Sequence, residues 1–274
     1  MRRLLVLLWL AAALPAVARP VPPLLMEEVP FVVSPDNVTL AMLKLANVSA
    51  EDYVIDLGSG DGRIVIVAAK RFGARGLGVE IVPDLVAKSR AAARAAGVDG
   101  RALFREQDLF KTDLSPASVV TMYLLPDVNL ALRPRLLQLR PGTRVVSHDW
   151  DMGEWQPDRT IKVDVPDKPV GVEKASRIHL WIVPARVAGT WCGTGKAKGA
   201  TLTLAQEFQR VRGELAQGEE RVAFEGRIDG FTTRAPRRFN LQLEGDRLRF
   251  QAVDRKWSDL QRSVFSRGRG TACR

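Results

Sequence analysis

The segment from Tyr53 to Gly62 has the residue types of a loop that binds a nucleotide-like ligand. It reads YVIDLGSGDG, an apolar run followed by glycine at positions 58, 60 and 62. Glycine lets the backbone take conformations closed to other residues and lets a ligand approach the main chain. A helical pattern follows, so the ligand is expected at a helix N-terminus. Arg63 stands where a dinucleotide fingerprint has its third glycine, so the G-x-G-x-G spacing argues against NAD.

Carboxylates follow the next two predicted strands. Glu80 ends the second strand, roughly 20 residues after the glycines, where a ribose diol needs an acceptor. Asp108 and Leu109 follow the third strand. Carboxyl ends of parallel strands meet at one edge of a sheet, so these residues are expected to line a single site.

The elements that must position these residues alternate between strand and helix. Apolar runs and helical patterns succeed one another up to Pro184, which is typical of a parallel sheet with crossover helices. Strands are predicted at 53–57, 76–81, 102–106, 117–125 and 143–150, with an edge hairpin at 160–165 and 177–183, and helices at 62–72, 83–97 and 127–140. Beyond Pro184, short alternating segments separated by Gly or Asp predict a small antiparallel barrel or sandwich.

The loop, Glu80 and Asp108 together resemble the class I S-adenosylmethionine-dependent methyltransferases. The resemblance implies a Rossmann-like α/β fold with a seven-stranded, mostly parallel sheet and helices on both faces, to which this chain adds a small C-terminal antiparallel all-β domain. In such enzymes an acid in the place of Asp108 receives the adenine amino group, and Asp56 would organise the loop around the methionyl part of the cofactor. The implied cofactor is S-adenosyl-L-methionine, held by Asp56, Gly58, Ser59, Gly60, Gly62, Glu80, Asp108 and Leu109.

Three further segments narrow the resemblance. They are VPFVVSP at 29–35, YLLPDVN at 123–129 and RVVSHD at 144–149. They look like the bacterial relatives of the mitochondrial lysine methyltransferases that act on the ATP synthase c subunit and the adenine nucleotide translocase. The resemblance covers residues 29–184 and implies methyl transfer to a protein lysine by in-line displacement. That reaction needs alignment, a neutral amine and partial desolvation.

The same resemblance places the acceptor after the fourth strand. Tyr123, Pro126 and Asn129 are therefore candidates for the wall of the acceptor channel, and His148 is a further candidate for the catalytic site. Val120 stands three positions before Tyr123, where many lysine methyltransferases of this superfamily have an acid. Two alternatives stay open: Asn129 as a helix residue without substrate contact, and His148 with its neighbour as a structural polar pair.

Positive charge is concentrated in the C-terminal module. Residues 1–185 hold 23 Lys and Arg against 21 Asp and Glu, whereas residues 186–274 hold 18 against 10. A basic face can bind an anionic membrane surface or an acidic protein, or can simply be a solvated surface. The module has no aromatic-interleaved basic motif, which argues against nucleic acid.

Both cysteines, Cys192 and Cys273, lie in this module. In an oxidising compartment they can form a disulfide, and otherwise they are two free thiols. They are too few and too far apart in sequence to indicate a metal site.

The N-terminus is typical of a secretory signal. Arg2 and Arg3 precede an apolar run, which is followed by small residues ending at Ala18. The predicted domains are a signal peptide or anchor at 1–18, an extension and lid at 19–52, the methyltransferase domain at 53–185 and the basic β domain at 186–274. Export is the expectation, and a cytoplasmic enzyme starting at Met26 is the alternative.

The leading hypothesis is an exported or membrane-associated methyltransferase with a protein lysine as acceptor. Its physical difficulty is that S-adenosylmethionine is made in the cytoplasm. The alternatives are an envelope binding module that has kept the fold and lost turnover, and a methyltransferase of a small molecule. The oligomeric state is left open.

Overall fold

The structure is a computed structural model that describes residues 34–168, 173–268 and 273. All of these lie in one compact unit. Seven strands form its larger sheet: β1 (Tyr53–Leu57), β2 (Arg75–Glu80), β3 (Ala102–Glu106), β4 (Val119–Met122), β5 (Arg144–His148), β6 (Arg159–Asp164) and β7 (Ala175–Ile182). Their order is β3-β2-β1-β4-β5-β7-β6. The first five run parallel, while β7 is antiparallel to both β5 and β6. The predicted mostly parallel sheet with an edge hairpin is confirmed.

Among the described residues, four helices flank the sheet: α1 (Asp36–Leu45), α2 (Arg63–Phe72), α3 (Pro83–Ala95) and α4 (Pro126–Leu136). Helix α2 begins directly after Gly62 and ends before Gly73, and both glycines have left-handed backbone angles. Helices α3 and α4 each begin at a proline, whose missing N–H costs nothing in the first turn. The glycine-rich loop therefore leads straight into α2.

Helix α1 was not predicted. Residues 19–52 were predicted to form an extension and lid, but α1 lies within that range and buries Val38, Met42 and Leu43 completely. These side chains join the core cluster that also contains residues of α2, β1 and β7. The described part of the segment therefore belongs to the domain core. The rest of it, like the predicted signal at 1–18, lies outside the described residues.

The C-terminal domain is a closed antiparallel barrel. Its strands are β8 (Gly189–Thr194), β9 (Ala200–Glu207), β10 (Arg210–Gln217), β11 (Glu220–Asp229), β12 (Thr232–Ala235), β13 (Phe239–Glu244), β14 (Arg247–Ala252) and β15 (Val264–Arg267). They close in the order β10-β11-β12-β13-β14-β15-β8-β9. Trp191, Phe239, Phe250 and Phe265 are fully buried and fill the interior. The predicted all-β domain is confirmed.

A disulfide joins Cys192 on β8 to Cys273, and the two Cα atoms are 5.4 Å apart. The bond ties the end of the chain to the first strand of the barrel. Of the two possibilities that the sequence left open, the structure has the disulfide.

Asp158 connects the two domains. Its carboxylate accepts hydrogen bonds from Arg227 Nη2 at 2.6 Å and Gln209 Nε2 at 3.0 Å in the barrel, and from the Ile182 N–H at 2.7 Å in the sheet. Trp155 stacks on Phe208 nearby. Asp158 precedes β6 at the end of the sheet where β5 begins, so the barrel is attached away from the glycine-rich loop. In the described part of the chain, no helix is long and apolar enough to span a membrane.

Candidate cofactor and acceptor site

The loop after β1 is held in shape by neighbouring strands. Gly58, Gly60 and Gly62 all have positive φ, a region that side chains with a Cβ rarely occupy. The N–H groups of Gly58 and Ser59 donate to the Val79 carbonyl in β2, at 3.0 and 2.9 Å. A Cβ at Gly58 would lie 2.9 Å from the end of the Leu124 side chain, which adds crowding to the strain of the positive φ.

Glu80 is bound to this loop as well as placed at the end of β2. One carboxylate oxygen accepts the Gly60 N–H at 2.9 Å, and the other accepts the N–H groups of Ile81 and Val82 at 2.8 and 3.1 Å. The side chain is half-buried. The structure thus brings the predicted ribose acceptor and the predicted loop into direct contact.

Asp56, the residue before the end of β1, lies inside the protein. It is fully buried, and Thr121 of β4 donates a 2.7 Å hydrogen bond to its carboxylate. Burial raises its pKa to about 7, against the hydrogen bond from Thr121, and the charges of Glu80 and Asp61 add to the rise. A positively charged ligand group beside Asp56 would favour its ionised form.

Asp108 caps the turn that follows β3. Its Oδ1 accepts the Phe110 N–H at 2.8 Å, and Oδ2 lies 3.7 Å from Lys111 Nζ. Leu109 begins the short 3-10 helix that this capping starts. Both residues are partly exposed, and they lie at the same edge of the sheet as Glu80 because β2 and β3 run parallel. The residues predicted at the ends of β1, β2 and β3 therefore lie at one edge of the sheet.

Ser34 links the start of α2 to the end of β5. Arg63 forms a paired contact with Asp61, at 3.0 and 2.8 Å, and donates to the Ser34 carbonyl at 2.8 Å. The Ser34 hydroxyl is 2.8 Å from His148 Nδ1. Sequence reasoning missed Ser34 as a site residue, since its only signal was its place in the VPFVVSP segment and no spacing rule joins residues 34 and 148.

His148 packs against Tyr123 and supports it. The two rings stack with centroids 3.8 Å apart, and Ser176 Oγ holds His148 Nε2 at 2.8 Å. Burial lowers the pKa of His148 to about 4, so the imidazole is neutral near pH 7. Burial also raises the pKa of Tyr123, with a contribution from Asp149, so the phenol keeps its proton. His148 is a poor candidate for a base and a good support for an aromatic wall.

The other two acceptor candidates occupy different environments. Pro126 is exposed at the first position of α4. Asn129 is fully buried, and its Nδ2 lies within 3.2 to 3.3 Å of Ser147 Oγ and of the carbonyls of Trp150 and Asp151. This geometry favours the alternative in which Asn129 is a helix residue without substrate contact, since its amide holds the segment after β5.

The described residues fit the implied cofactor. The loop offers bare backbone, carboxylates stand at the ends of β2 and β3, and the buried Ser59 Oγ has no hydrogen-bond partner within the described ranges. With the strand order β3-β2-β1-β4-β5-β7-β6, these features define a class I S-adenosylmethionine-dependent methyltransferase.

The chain belongs to the ANTKMT methyltransferase family, whose domain model matches residues 56–159. It is 46% identical over 139 residues to a protein-lysine N-methyltransferase of Saccharolobus islandicus, a match that covers 50% of this chain and 86% of the relative. It is 42% identical over 108 residues to the lysine N-methyltransferase of the ATP synthase c subunit in Mus musculus, covering 39% of this chain and 43% of that relative.

A solved structure agrees with the fold and the cofactor. The crystal structure of an RNA methyltransferase from Salinibacter ruber in complex with S-adenosyl-L-homocysteine is 52% identical, with a TM-score of 0.52. The match covers 57% of this chain and 96% of that one. The predicted fold, the cofactor and the methyltransferase activity are confirmed, and the roles of individual site residues stay predictions.

Proposed function

We propose that this methyltransferase transfers its methyl group to a lysine amine of a protein. The observation that carries the proposal is the Tyr123–His148 stack, an uncharged wall joined to the glycine-rich loop through Ser34. A lysine amine needs such an apolar, partly dehydrated approach, because hydration favours its unreactive ammonium form. The names of the archaeal and mouse relatives support a lysine acceptor.

When bound, S-adenosylmethionine would supply an electrophilic methyl carbon for displacement by a neutral amine, with the displaced electron pair staying on sulfur. The chain contributes position and environment. Glu80 and Asp108 would hold the nucleoside end and Asp56 the methionyl end, while Tyr123 would line the approach with Pro126 at its rim. His148 keeps Tyr123 in place, and Asn129 keeps the segment after β5 in place.

The test follows the methyl group to its acceptor. Purified protein is incubated with methyl-labelled S-adenosylmethionine and an extract of the source cell from which the gene has been deleted. We expect label that protease removes and ribonuclease does not, and mass spectrometry should place it on lysine. Label on RNA, the substrate class of the Salinibacter ruber relative, would overturn the proposal.

A Tyr123→Ala variant tests the acceptor wall. Loss of the ring should lower kcat/KM at least about tenfold while leaving S-adenosylhomocysteine affinity unchanged, because only the acceptor side is altered. Tyr123→Phe, which keeps the ring over His148, should retain most activity. Tyr53→Phe, at the start of β1 and the opposite end of the sheet, is the matched control.

We propose that residues 1–18 export the protein and that the basic barrel contacts an anionic membrane surface or an acidic partner. The disulfide supports an oxidising compartment. N-terminal sequencing of the natural protein decides between export, with a start at Arg19, and a cytoplasmic enzyme that starts at Met26. Co-sedimentation with anionic and neutral vesicles tests the surface, and equal binding to both would count against it.

A further inference from the structure

Asp149 is fixed in an unusual conformation at the carboxyl end of β5. Its φ is +62°, in the left-handed region that non-glycine residues rarely occupy. Such conformations cost free energy and persist where surrounding contacts hold them, often at functional sites. Here the Asp149 N–H donates to the Arg177 carbonyl at 2.7 Å, and Oδ1 accepts the Arg177 N–H at 2.9 Å. The backbone of Arg177 in β7 therefore fixes the position of the second carboxylate oxygen of Asp149, Oδ2.

That second oxygen already binds a primary ammonium. Asp149 Oδ2 lies 2.8 Å from Lys168 Nζ, and each side chain is only 14% exposed. The same oxygen is 3.5 Å from His148 Nε2. Lys168 Nζ also donates to the Ala175 carbonyl at 2.8 Å. The site thus recognises the same functional group that a substrate lysine would present.

The carboxylate lies close to the acceptor wall. Asp149 contacts His148, and His148 stacks on Tyr123. The negative charge of Asp149 contributes to the raised pKa of the Tyr123 phenol, so the two side chains interact electrostatically. Since His148 is neutral, Lys168 is the cation that balances Asp149 in this cluster.

We propose that Asp149 is the specificity residue for a cationic amine acceptor: it binds the ammonium of the incoming lysine beside Tyr123, and Lys168 occupies that place until the substrate displaces it. The inference rests on the proposed function. Exchange of one ammonium for another leaves the charge of the cluster unchanged. A neutral hydroxyl or base nitrogen that displaced Lys168 would leave a part-buried carboxylate unpaired, which is costly. The ammonium then leaves Asp149 and loses its proton to water before it reacts.

The experiment uses n-butylammonium as a mimic of the lysine side chain and 1-butanol as a neutral analogue of the same length. Affinities are measured by ligand-observed NMR on protein saturated with S-adenosylhomocysteine. Lys168→Met removes the internal competitor and should strengthen n-butylammonium binding about fivefold to tenfold. Adding Asp149→Asn to that variant should abolish the gain. The binding of 1-butanol should be the same in every variant.

Two checks keep the outcomes separate. Asparagine accepts left-handed angles and retains an oxygen for the Arg177 N–H, so Asp149→Asn should fold and bind S-adenosylhomocysteine normally. Glu154→Gln, an exposed acid on the same segment, is the matched control and should leave n-butylammonium binding unchanged. Equal n-butylammonium affinity with and without Asp149 would overturn the inference, as would the absence of a gain in Lys168→Met. Label on RNA in the acceptor assay would instead overturn the proposed function, whatever n-butylammonium does.

Discussion

The Glu80 carboxylate lies at the end of β2 and accepts hydrogen bonds from backbone N–H groups. Its three backbone hydrogen bonds connect the end of β2 to the loop after β1 and to the start of the turn before α3. The sequence predicted its place from the distance to the glycines. The bond to Gly60 could not be predicted, because it depends on how β1 and β2 lie side by side in the sheet.

Replacing Glu80 with alanine should weaken S-adenosylhomocysteine binding by about 1–3 kcal/mol, since the ribose diol loses its charged acceptor. The Gly60 N–H also loses its partner, so the loop should become less ordered. Calorimetric titration measures the change. The control is Glu106→Ala, the exposed register partner of Glu80 on β3. Unchanged affinity in Glu80→Ala would show that the cofactor pocket is misplaced.

Asp56 should make cofactor affinity depend on pH. Its folded pKa of about 7 lies above the usual 3.8, so the folded protein holds more protons than the unfolded chain between those values. The contribution of Asp56 to the free energy of unfolding therefore declines as pH rises from about 4 towards 7. A ligand ammonium prefers the ionised carboxylate, so S-adenosylhomocysteine affinity should rise by up to about tenfold per pH unit below 7 and level off above it.

Calorimetry across this pH range measures the dependence. Asp56→Asn keeps an oxygen for Thr121 but cannot ionise, and its profile should be flatter. A wild-type profile as flat as that of the variant would contradict the assignment of Asp56 to the charged end of the cofactor.

At the scale of elements, the junction between β1 and α2 depends on glycine. Gly62 has a φ of +81°, and a Cβ there would lie 2.6 Å from Phe104 and 2.7 Å from Ser89. The neighbouring elements β3 and α3 thus limit the size of this residue as well as its backbone angles. The periodic patterns predicted both elements, but their close approach to Gly62 is a product of packing.

Gly62→Ala should lower the free energy of unfolding by about 2–5 kcal/mol, the sum of a left-handed alanine and a steric overlap. Urea unfolding measures it. Gly100→Ala is the comparison, because a Cβ at Gly100 meets nothing within 4 Å. If both variants lost a similar amount of unfolding free energy, the loss in Gly62→Ala would come from the general cost of replacing a turn glycine and not from crowding at Gly62.

The barrel and the methyltransferase sheet are joined by polar contacts around Asp158 and by the stack of Trp155 on Phe208. Asp158 has a 14% exposed side chain and accepts three hydrogen bonds, two of them from the barrel. The attachment is at the end of the sheet opposite to Glu80 and Asp149.

Asp158→Ala should separate the unfolding of the two domains. The Ile182 N–H and the Gln209 amide lose their acceptor, at a cost of about 1–3 kcal/mol each where they stay buried. Calorimetric scanning should then show two transitions or a broadened one. Arg212→Ala breaks an ion pair on the exposed barrel surface and should change little. If Asp158→Ala still unfolds in a single unchanged transition, the two domains are coupled mainly by apolar contacts such as the stack of Trp155 on Phe208.

The disulfide should stabilise the barrel in particular. Cys192 and Cys273 are 81 residues apart, so their bond restricts a long loop of the unfolded chain. Replacing both with serine should cost about 2–5 kcal/mol of barrel stability and leave S-adenosylhomocysteine binding intact. Denaturant unfolding and calorimetry measure the two effects. Loss of cofactor binding in the variant would show that the sheet depends on the barrel to fold.

Features that short stretches of chain encode could be predicted before the fold was known. The alternation of apolar runs and helices predicted the parallel sheet, the glycines predicted the loop, and strand-end positions predicted Glu80 and Asp108. Helix α1 was missed, although it lies in the core, because its segment was assigned to an extension.

Tertiary structure decided everything that joins distant residues. Ser34 meets His148 across 114 positions, and Asn129 is buried against the segment after β5. Lys168 reaches Asp149 because β7 returns antiparallel beside β5. Such contacts follow from the packing of whole elements, which local periodicity does not encode.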